Sequence, residues 1–294
     1  MLSVLSNSLE QGLLGSFMAM GVLLSFRMLG FPDLTVEGSY PLAGAIVARL
    51  LVGGANPVLA TLCGALGGVL AGVTVGLLHT KLKVNEILAG ILVTAAIYTL
   101  MLRVMGRPNT PLLAQRTLFD QVLGWFGLKA TVWPIAAMAA VLTLLAYLGM
   151  NWFLHTDIGL TVRATGNNEK MIRALGVDTD TTKIITLAIA NGFVALSGAL
   201  VAQDQGFADV GMGVGSLVAA VASIIIGEAI FGSEPVSRHL AVLVAGSLIY
   251  RVLLNVALRL GMPASDFKAV SAVLVLLLLS APLWKARRRR RAAS

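Results

Sequence analysis

Three groups of polar residues stand out against a mostly apolar chain. The first is the run "GFPDLTVEGS" at residues 30–39, in which Asp33, Thr35 and Glu37 alternate and Ser39 closes the run. Alternation would put Asp33, Thr35 and Glu37 on one face of an extended segment. Gly30, Pro32 and Gly38 disfavour a continuous helix there. Carboxylates and a hydroxyl so spaced suit a polar pathway or an ion site. A solvated turn is the plain alternative, but Phe31, Leu34 and Val36 fit water poorly. The second group is scattered: Glu86, Asn191, Glu228, Arg251 and Asn255 interrupt long apolar stretches. Ionisable groups in such stretches are costly and usually face an interior. Glu86 and Arg251 near helix ends can instead extend their polar heads outward, and Asn191 and Asn255 can bond between helices. Asp33, Thr35, Glu37, Ser39, Glu86, Asn191 and Glu228 are the resulting pathway candidates.

The third group is "ATGNNEKMIRALGV" at residues 164–177. Asn167 or Asn168 can cap a short helix, and Glu169 near its start complements the helix dipole. Arg173 follows Glu169 by one turn in the favourable order, and Gly176 is placed to end the helix. Met171, Ile172 and Leu175 form an apolar face with Ala174 beside it. An ordinary solvated loop helix is the plain reading. Yet a helix this short is unstable alone in water, so it must dock, either on the membrane surface or on a partner protein.

Enzyme chemistry finds no footing. No G-x-x-x-x-G-K-[ST] is present, so the chain has no phosphate-cradling loop for ATP. His79, His155 and His239 are scattered at the ends of apolar segments, where solvation is expected, and no H-E-x-x-H or paired metal spacing occurs. The single cysteine, Cys63, allows no internal disulfide, and helix packing is its expected role. No cofactor is expected.

The elements that must position these groups follow from composition. Of the 294 residues, 57% are hydrophobic and 12% charged, where soluble domains carry about 25% charged. Four spans lack any Asp, Glu, Lys or Arg: Leu50–Thr80, Ala130–Thr156, Ile184–Gln203 and Val210–Gly227. Each is long enough for a membrane helix, for which roughly 18 apolar residues are diagnostic. The expected fold is all-α, a polytopic membrane bundle of about eight to ten transmembrane helices with one broken helix in the N-terminal third. Nine apolar segments are predicted near 8–29, 38–54, 57–78, 85–103, 131–153, 183–204, 214–230, 239–259 and 267–284. Residues 1–284 then form one membrane domain, and 285–294 a basic tail.

The tail, "KARRRRRAAS", holds six of the 22 basic residues and so much of the net charge of +8. A basic cluster after an apolar helix marks the cytoplasmic, anionic lipid surface rather than a nucleic-acid arm. No nucleic-acid partner is therefore expected. With the tail inside, alternating spans put residues 79–83, 154–182 and 231–238 inside too, and the N-terminus outside. The first twelve residues hold no Lys or Arg, so no cleavable signal is expected. Two stretches are similar to each other, "GSYPLAGAIVARLLVGGANP" from Gly38 and "GSLVAAVASIIIGEAIFGSEP" from Gly215. They would cross in opposite directions, which raises an inverted repeat, although Gly, Ser and Pro punctuate any polytopic chain.

"RATGNNEKMIRALGVDTDTTKIITLAIANGFVALSGALVAQ" closely resembles the cytoplasmic loop and next helix of permeases in ATP-binding-cassette (ABC) importers of the branched-chain amino-acid and ribose type. Arg163, Ala164, Gly166, Asn168, Ala174 or Leu175, Gly176 and the run Ser197-Gly198-Ala199-Leu200 carry the likeness. "FPDLTVEGS" is similar to the family's broken second helix. "FPDLTVEGSYPLAGA" and "NEILAGILVTAAIYTLMLRVMGRPNTPLL" resemble a subgroup of amino-acid importer permeases, some assigned to tryptophan or tyrosine. Glu37 departs from the ribose permeases, so no sugar contacts carry over. The resemblance implies a non-catalytic permease of the cell (inner) membrane with a cytoplasmic C-terminus. It implies as partners ABC ATPase subunits, an external substrate-binding lipoprotein or periplasmic protein, a second permease copy and membrane lipid. Gly166, Asn167, Asn168, Glu169, Met171, Arg173, Ala174, Leu175 and Gly176 would form its ATPase-coupling helix at 167–175. The competing reading is an ion-coupled secondary transporter built on inverted repeats, using Asp33, Glu37 or Glu228 as its ion site.

Overall fold

The computed structural model describes residues 2–232 and 236–259, and residues 269, 273 and 276 singly. The predicted span 267–284, the basic tail and the Glu234-Pro235 end of the stretch that begins at Gly215 lie outside the described residues, apart from those single positions. All eight other predicted apolar segments fall on helices. Helix α1 (Leu2–Val22) runs into a π-helical turn at Leu23–Met28, followed by α2 (Val36–Val52), α3 (Pro57–Thr80) and α4 (Glu86–Met105). Then come strand β1 (Asn109–Pro111), α5 (Leu118–Trp125), α6 (Val132–His155) and α7 (Asp157–Ala174). Helix α8 (Thr179–Gln205), strand β2 (Phe207–Asp209), α9 (Ser216–Phe231) and α10 (Val236–Arg259) complete the described chain. Among the described residues six stretches are long and apolar enough to cross a membrane: Asn7–Met28, Pro57–Thr80, Glu86–Met105, Val132–His155, Thr179–Gln205 and Arg238–Ala257.

Of the helices on the predicted apolar segments, α2 and α9 are the shortest, at 17 and 16 residues. At 1.5 Å per residue each falls short of the ~30 Å hydrocarbon core. Irregular segments complete both. Residues 29–35 lead into α2, and 210–215 lead into α9 while lying against α2, where Met212 packs on Gly44 and Gly213 against the Glu37 carbonyl. The run 30–37 is therefore not the extended strand its alternation suggested. The Thr35 amide donates to Asp33 Oδ1 at 2.9 Å, folding a turn that starts α2, and Glu37 already belongs to the helix. Glu37 Oε1 accepts the Gly215 amide at 3.0 Å, placing a carboxylate at the positive end of α9.

Helix α8 lies at the centre. Glycines recur every fourth residue on α3, at 64, 68, 72 and 76, which aligns them on one ridge. A methyl at Gly72 would run into the Leu187 carbonyl, and one at Gly68 into Ala195 and the Asn191 carbonyl. The ridge lets α3 and α8 touch backbone to backbone, the arrangement small residues permit between membrane helices. Cys63 is not part of that packing. It is exposed, on the outward side that also carries Leu59, Leu62, Leu66 and Leu70.

The buried core of the broken helix is polar. Asn191 on α8 donates to Asp33 Oδ2 at 2.6 Å and to the Leu187 carbonyl at 3.0 Å, and accepts from the Ser39 hydroxyl at 2.6 Å. Asp33, Ser39 and Asn191 are 2%, 0% and 0% exposed. Replacing Asn191 by leucine would leave both partners buried without a bond, at about 1–3 kcal/mol each. Asn191→Leu should therefore lower the thermal unfolding midpoint of the detergent-purified protein by several degrees, and Ser39→Ala by less. Equal midpoints for wild type and Asn191→Leu would deny the network its structural weight.

Candidate functional site

The polar island at 164–177 is built from two helical pieces. Helix α7 breaks at Asn168, whose backbone is non-helical (φ −156, ψ 88). The first piece is fixed to the bundle, because a methyl at Gly166 would collide with the Met28 carbonyl at the end of the π turn. The second piece restarts with Asn168 as its cap, its Oδ1 accepting the Met171 amide at 3.0 Å. It ends at Leu175, and Gly176 follows with φ +87, the left-handed conformation that glycine tolerates best. Capping signals alone put the helix at 167–175. The structure moves its start to Glu169 and makes the loop around it more helical than a simple connection.

An ion network clamps the short piece to three spans. Glu169 meets Arg173 at 3.1 Å, the expected i,i+4 pair, and Lys183 at 2.9 Å. Arg173 bonds Asp180 at 2.7 Å and the Thr179 hydroxyl at 2.6 Å. Lys183, itself 9% exposed, also lies 3.3 Å from His79 Nε2, which stands 3.7 Å from Glu86. His79 Nδ1 contacts the Val84 carbonyl at 3.0 Å, and its ring packs edge-on against Phe31. Lys83 reaches Asp180 at 3.5 Å. Burial works against the Glu169 charge, but hydrogen bonds and charge from Lys183, with Thr179 and Arg173, outweigh it and hold its carboxyl below the usual range. A lowered carboxylate is stabilising above its unfolded pKa of about 4.3 and loses that contribution only as pH falls through the folded value. At neutral pH the Glu169 carboxylate is therefore ionised and its contribution is present in full.

While its polar side is clamped, the apolar side of the piece faces out. Met171 is 58% and Leu175 68% exposed, with Ala174 also exposed and Ile172 half-buried. Asn167 and Gly166 are exposed as well.

The pathway candidates separate into four places. Asp33, Ser39 and Asn191 join in the buried network and spend their polar atoms on one another, leaving none open to a solute in this state. Thr35 is buried beside them, its hydroxyl without a partner among the described residues. Glu37 caps α9. Glu86 belongs to the clamp, and Glu228 pairs with His239 at 2.7 Å and Arg27 at 3.4 Å. His79 and His239 are therefore engaged rather than merely solvated; only His155 is exposed. Thr179, Asp180 and Lys183 were missed as site residues because they meet Arg173 and Glu169 across a turn, 6, 7 and 14 residues on, which helix spacing does not cover, and His79 lies 104 residues from Lys183. Asn255 bonds the Ser8 hydroxyl at 2.8 Å, tying α10 to α1.

Comparison with known proteins identifies the family. The chain matches the family described as branched-chain amino acid transport system / permease component over residues 4–279. It is 38% identical to a tyrosine transport system permease protein of Clostridioides difficile (strain R20291), across 92% of this chain and 89% of that one. It is 31% identical to the galactofuranose transporter permease protein YtfT of Escherichia coli (strain K12), across 90% and 75% of the two chains. The ribose import permease protein RbsC of the same strain is 26% identical, across 93% and 83%. No solved structure matches. A multi-pass bundle, a broken second helix and a clamped helix between spans thus sit on a chain that belongs to the branched-chain amino acid transport permease family.

Proposed function

We propose that the chain is the permease subunit of an ABC importer that moves an amino acid inward across the cell membrane. The observation that carries this reading is the piece capped by Asn168. It is too short to stand alone, it is bound through Glu169 and Arg173 to the inner ends of the spans, and it offers Met171 and Leu175 to a partner. An ion-coupled carrier has no use for such a lever, and the carboxylates it would need are already engaged. On this reading 169–174 seats in an ATPase subunit, residues 166–183 are cytoplasmic, and the C-terminus lies on the same side. Two permease copies enclose one pathway, the solute is delivered by an external binding protein, and lipid covers the remaining apolar surface. ATP hydrolysis belongs to the partner. The amino-acid class is supported by the tyrosine permease relative.

In energetic terms, ATP closes the ATPase pair and so favours one state of a bistable membrane dimer. The ion clamp transmits the displacement, because moving 169–174 drags Lys183 and Asp180 on α8. Copurification of the chain with its ATPase subunit is the direct test, and a permease that never retains an ATPase would return the carrier reading to the front.

Two variants test the lever. Ala174→Glu puts a charge on the exposed apolar face, and should cut uptake at least tenfold while the unfolding midpoint of the permease stays put. Gly176→Asp, strained at φ +87, should act in the same direction. Unchanged uptake and unchanged ATPase stimulation in both would remove the docking assignment. Lys183→Met should cost about 1–2 kcal/mol of stability, between exposed and buried pairs. It should also leave ATPase binding intact while lowering uptake per ATP hydrolysed. Wild-type coupling in Lys183→Met would show that the clamp transmits nothing.

A further inference from the structure

At the end of the bundle opposite the docking helix, a cavity of roughly 390 Å³ opens between α1, α2, α8, α10 and the β1–β2 ribbon. That size lies within the range of small-molecule sites. The two strands are antiparallel, and Asn109 donates to Asp209 across them at 3.2 Å, making a rim on the outer side. Deeper in, Arg251 of α10 is half-buried, and its α1 neighbour is Gly15, which leaves room for the guanidinium. Among the described residues Arg251 donates no hydrogen bond within 3.5 Å and meets no carboxylate within 4.0 Å. Asp204 and Tyr40 feel its charge across the cavity, yet its five N–H donors have no hydrogen-bonding partner among the described residues. Asp204 of α8 lines the same cavity, next to the buried Glu10 of α1. Tyr40 presents a phenol, and Met212 an apolar wall.

We propose that this cavity is a transit site for the α-amino-acid group of the solute, with Arg251 taking its carboxylate and Asp204 its ammonium. The assignment rests on the amino-acid reading above and adds where in the permease the zwitterion is held. A guanidinium and a carboxylate on facing walls complement a zwitterion, and neither is matched by a neutral sugar. The planar fork of Arg251 can grip a carboxylate by two parallel bonds, which a lysine cannot. Met212, Val201 and the Tyr40 ring offer the solute's side chain an apolar surface. Asp209 is held on the rim by the Gly211 amide at 2.7 Å, so the strand ribbon stands at the entrance.

The experiment uses the assembled complex of permease, ATPase and binding protein in proteoliposomes. The permease carries Cys63→Ala and Met212→Cys, which leaves one thiol, in the cavity. L-tyrosine should slow its modification by a membrane-impermeant methanethiosulfonate at least fivefold. Tyramine, which lacks the carboxylate, and 3-(4-hydroxyphenyl)propionate, which lacks the ammonium, should not. Arg251→Gln added to that background should abolish the protection while the complex still assembles, and Arg251→Lys should restore only part. If Arg251→Gln does not assemble, Tyr40→Phe serves, with an expected twofold to threefold loss of protection. A complex that imports L-tyrosine but shows no protection, equal protection by tyramine, or an unreactive thiol overturns the transit site and leaves the importer reading standing. A complex that imports no amino acid overturns the reading on which the site rests.

Discussion

A backbone that leaves its helix inside an apolar bundle must find every hydrogen bond within the protein, since lipid supplies none. Residues 29–35 live under that constraint, and most of the architecture can be understood as its solution. Asn191 answers Asp33 and Ser39 at once, Thr94 donates to the Leu34 carbonyl at 3.2 Å, and the Phe31 amide returns to the Ser25 carbonyl at 2.9 Å. For Asn191 to reach the break, α8 must run at the centre of the bundle. It can do so because the glycine ridge of α3 brings the two backbones into contact. The other irregular segment, 210–215, closes most of its bonds on Pro108, Asp209 and Gly211 and donates the Gly215 amide to Glu37 of α2, so the two short helices are fixed relative to each other.

Helix α8 consequently touches every feature that matters. Its first turn holds the docking helix through Lys183, Asp180 and Thr179. Its middle holds the broken helix through Asn191. Near its far end Gln203 donates to Thr61 at 2.9 Å and accepts the Leu118 amide at 2.8 Å, while Asp204 enters the outer cavity. A 27-residue helix is about 40 Å long at 1.5 Å per residue. Rigid helices are the simplest carriers of displacement between distant sites. On the importer reading, one element therefore spans from the ATPase contact to the outer cavity.

Local rules recovered what is local. Apolar runs located the spans, Gly30 and Pro32 located the break, and the order Asn168, Glu169, Arg173, Gly176 gave a capped helix that the structure reproduces with a later start. What escaped was set by distance in sequence. Alternation could not reveal that Asp33 and Glu37 serve different neighbours, since Asn191 and Gly215 lie 158 and 178 residues on. Nor could composition separate Cys63, which faces outward, from the glycines beside it that face α8. Arg251 read as a residue near a helix end, and only the packing of α10 against α1 shows its guanidinium half-buried beside a cavity.

The strengths of the two grips on residues 169–174 set a condition on any lever built there. Burying Met171 and Leu175 against a partner is worth at most about 1.5–3 kcal/mol each. Reversing a two-state equilibrium from 1:99 to 99:1 needs roughly 5.5 kcal/mol, so two such helices in a dimer suffice and one is marginal. That work reaches the spans only if the inner attachment holds under the same load. A lone exposed ion pair, at about 0–1 kcal/mol, would let the helix peel away before α8 moved. The charged bonds of Glu169 and Arg173, the near-complete burial of Lys183, and the backbone contact of Gly166 with Met28 together raise the attachment above that limit. On the importer reading the polar character of this stretch is a mechanical requirement: an apolar face for the ATPase to grip, and a charged face to hold on.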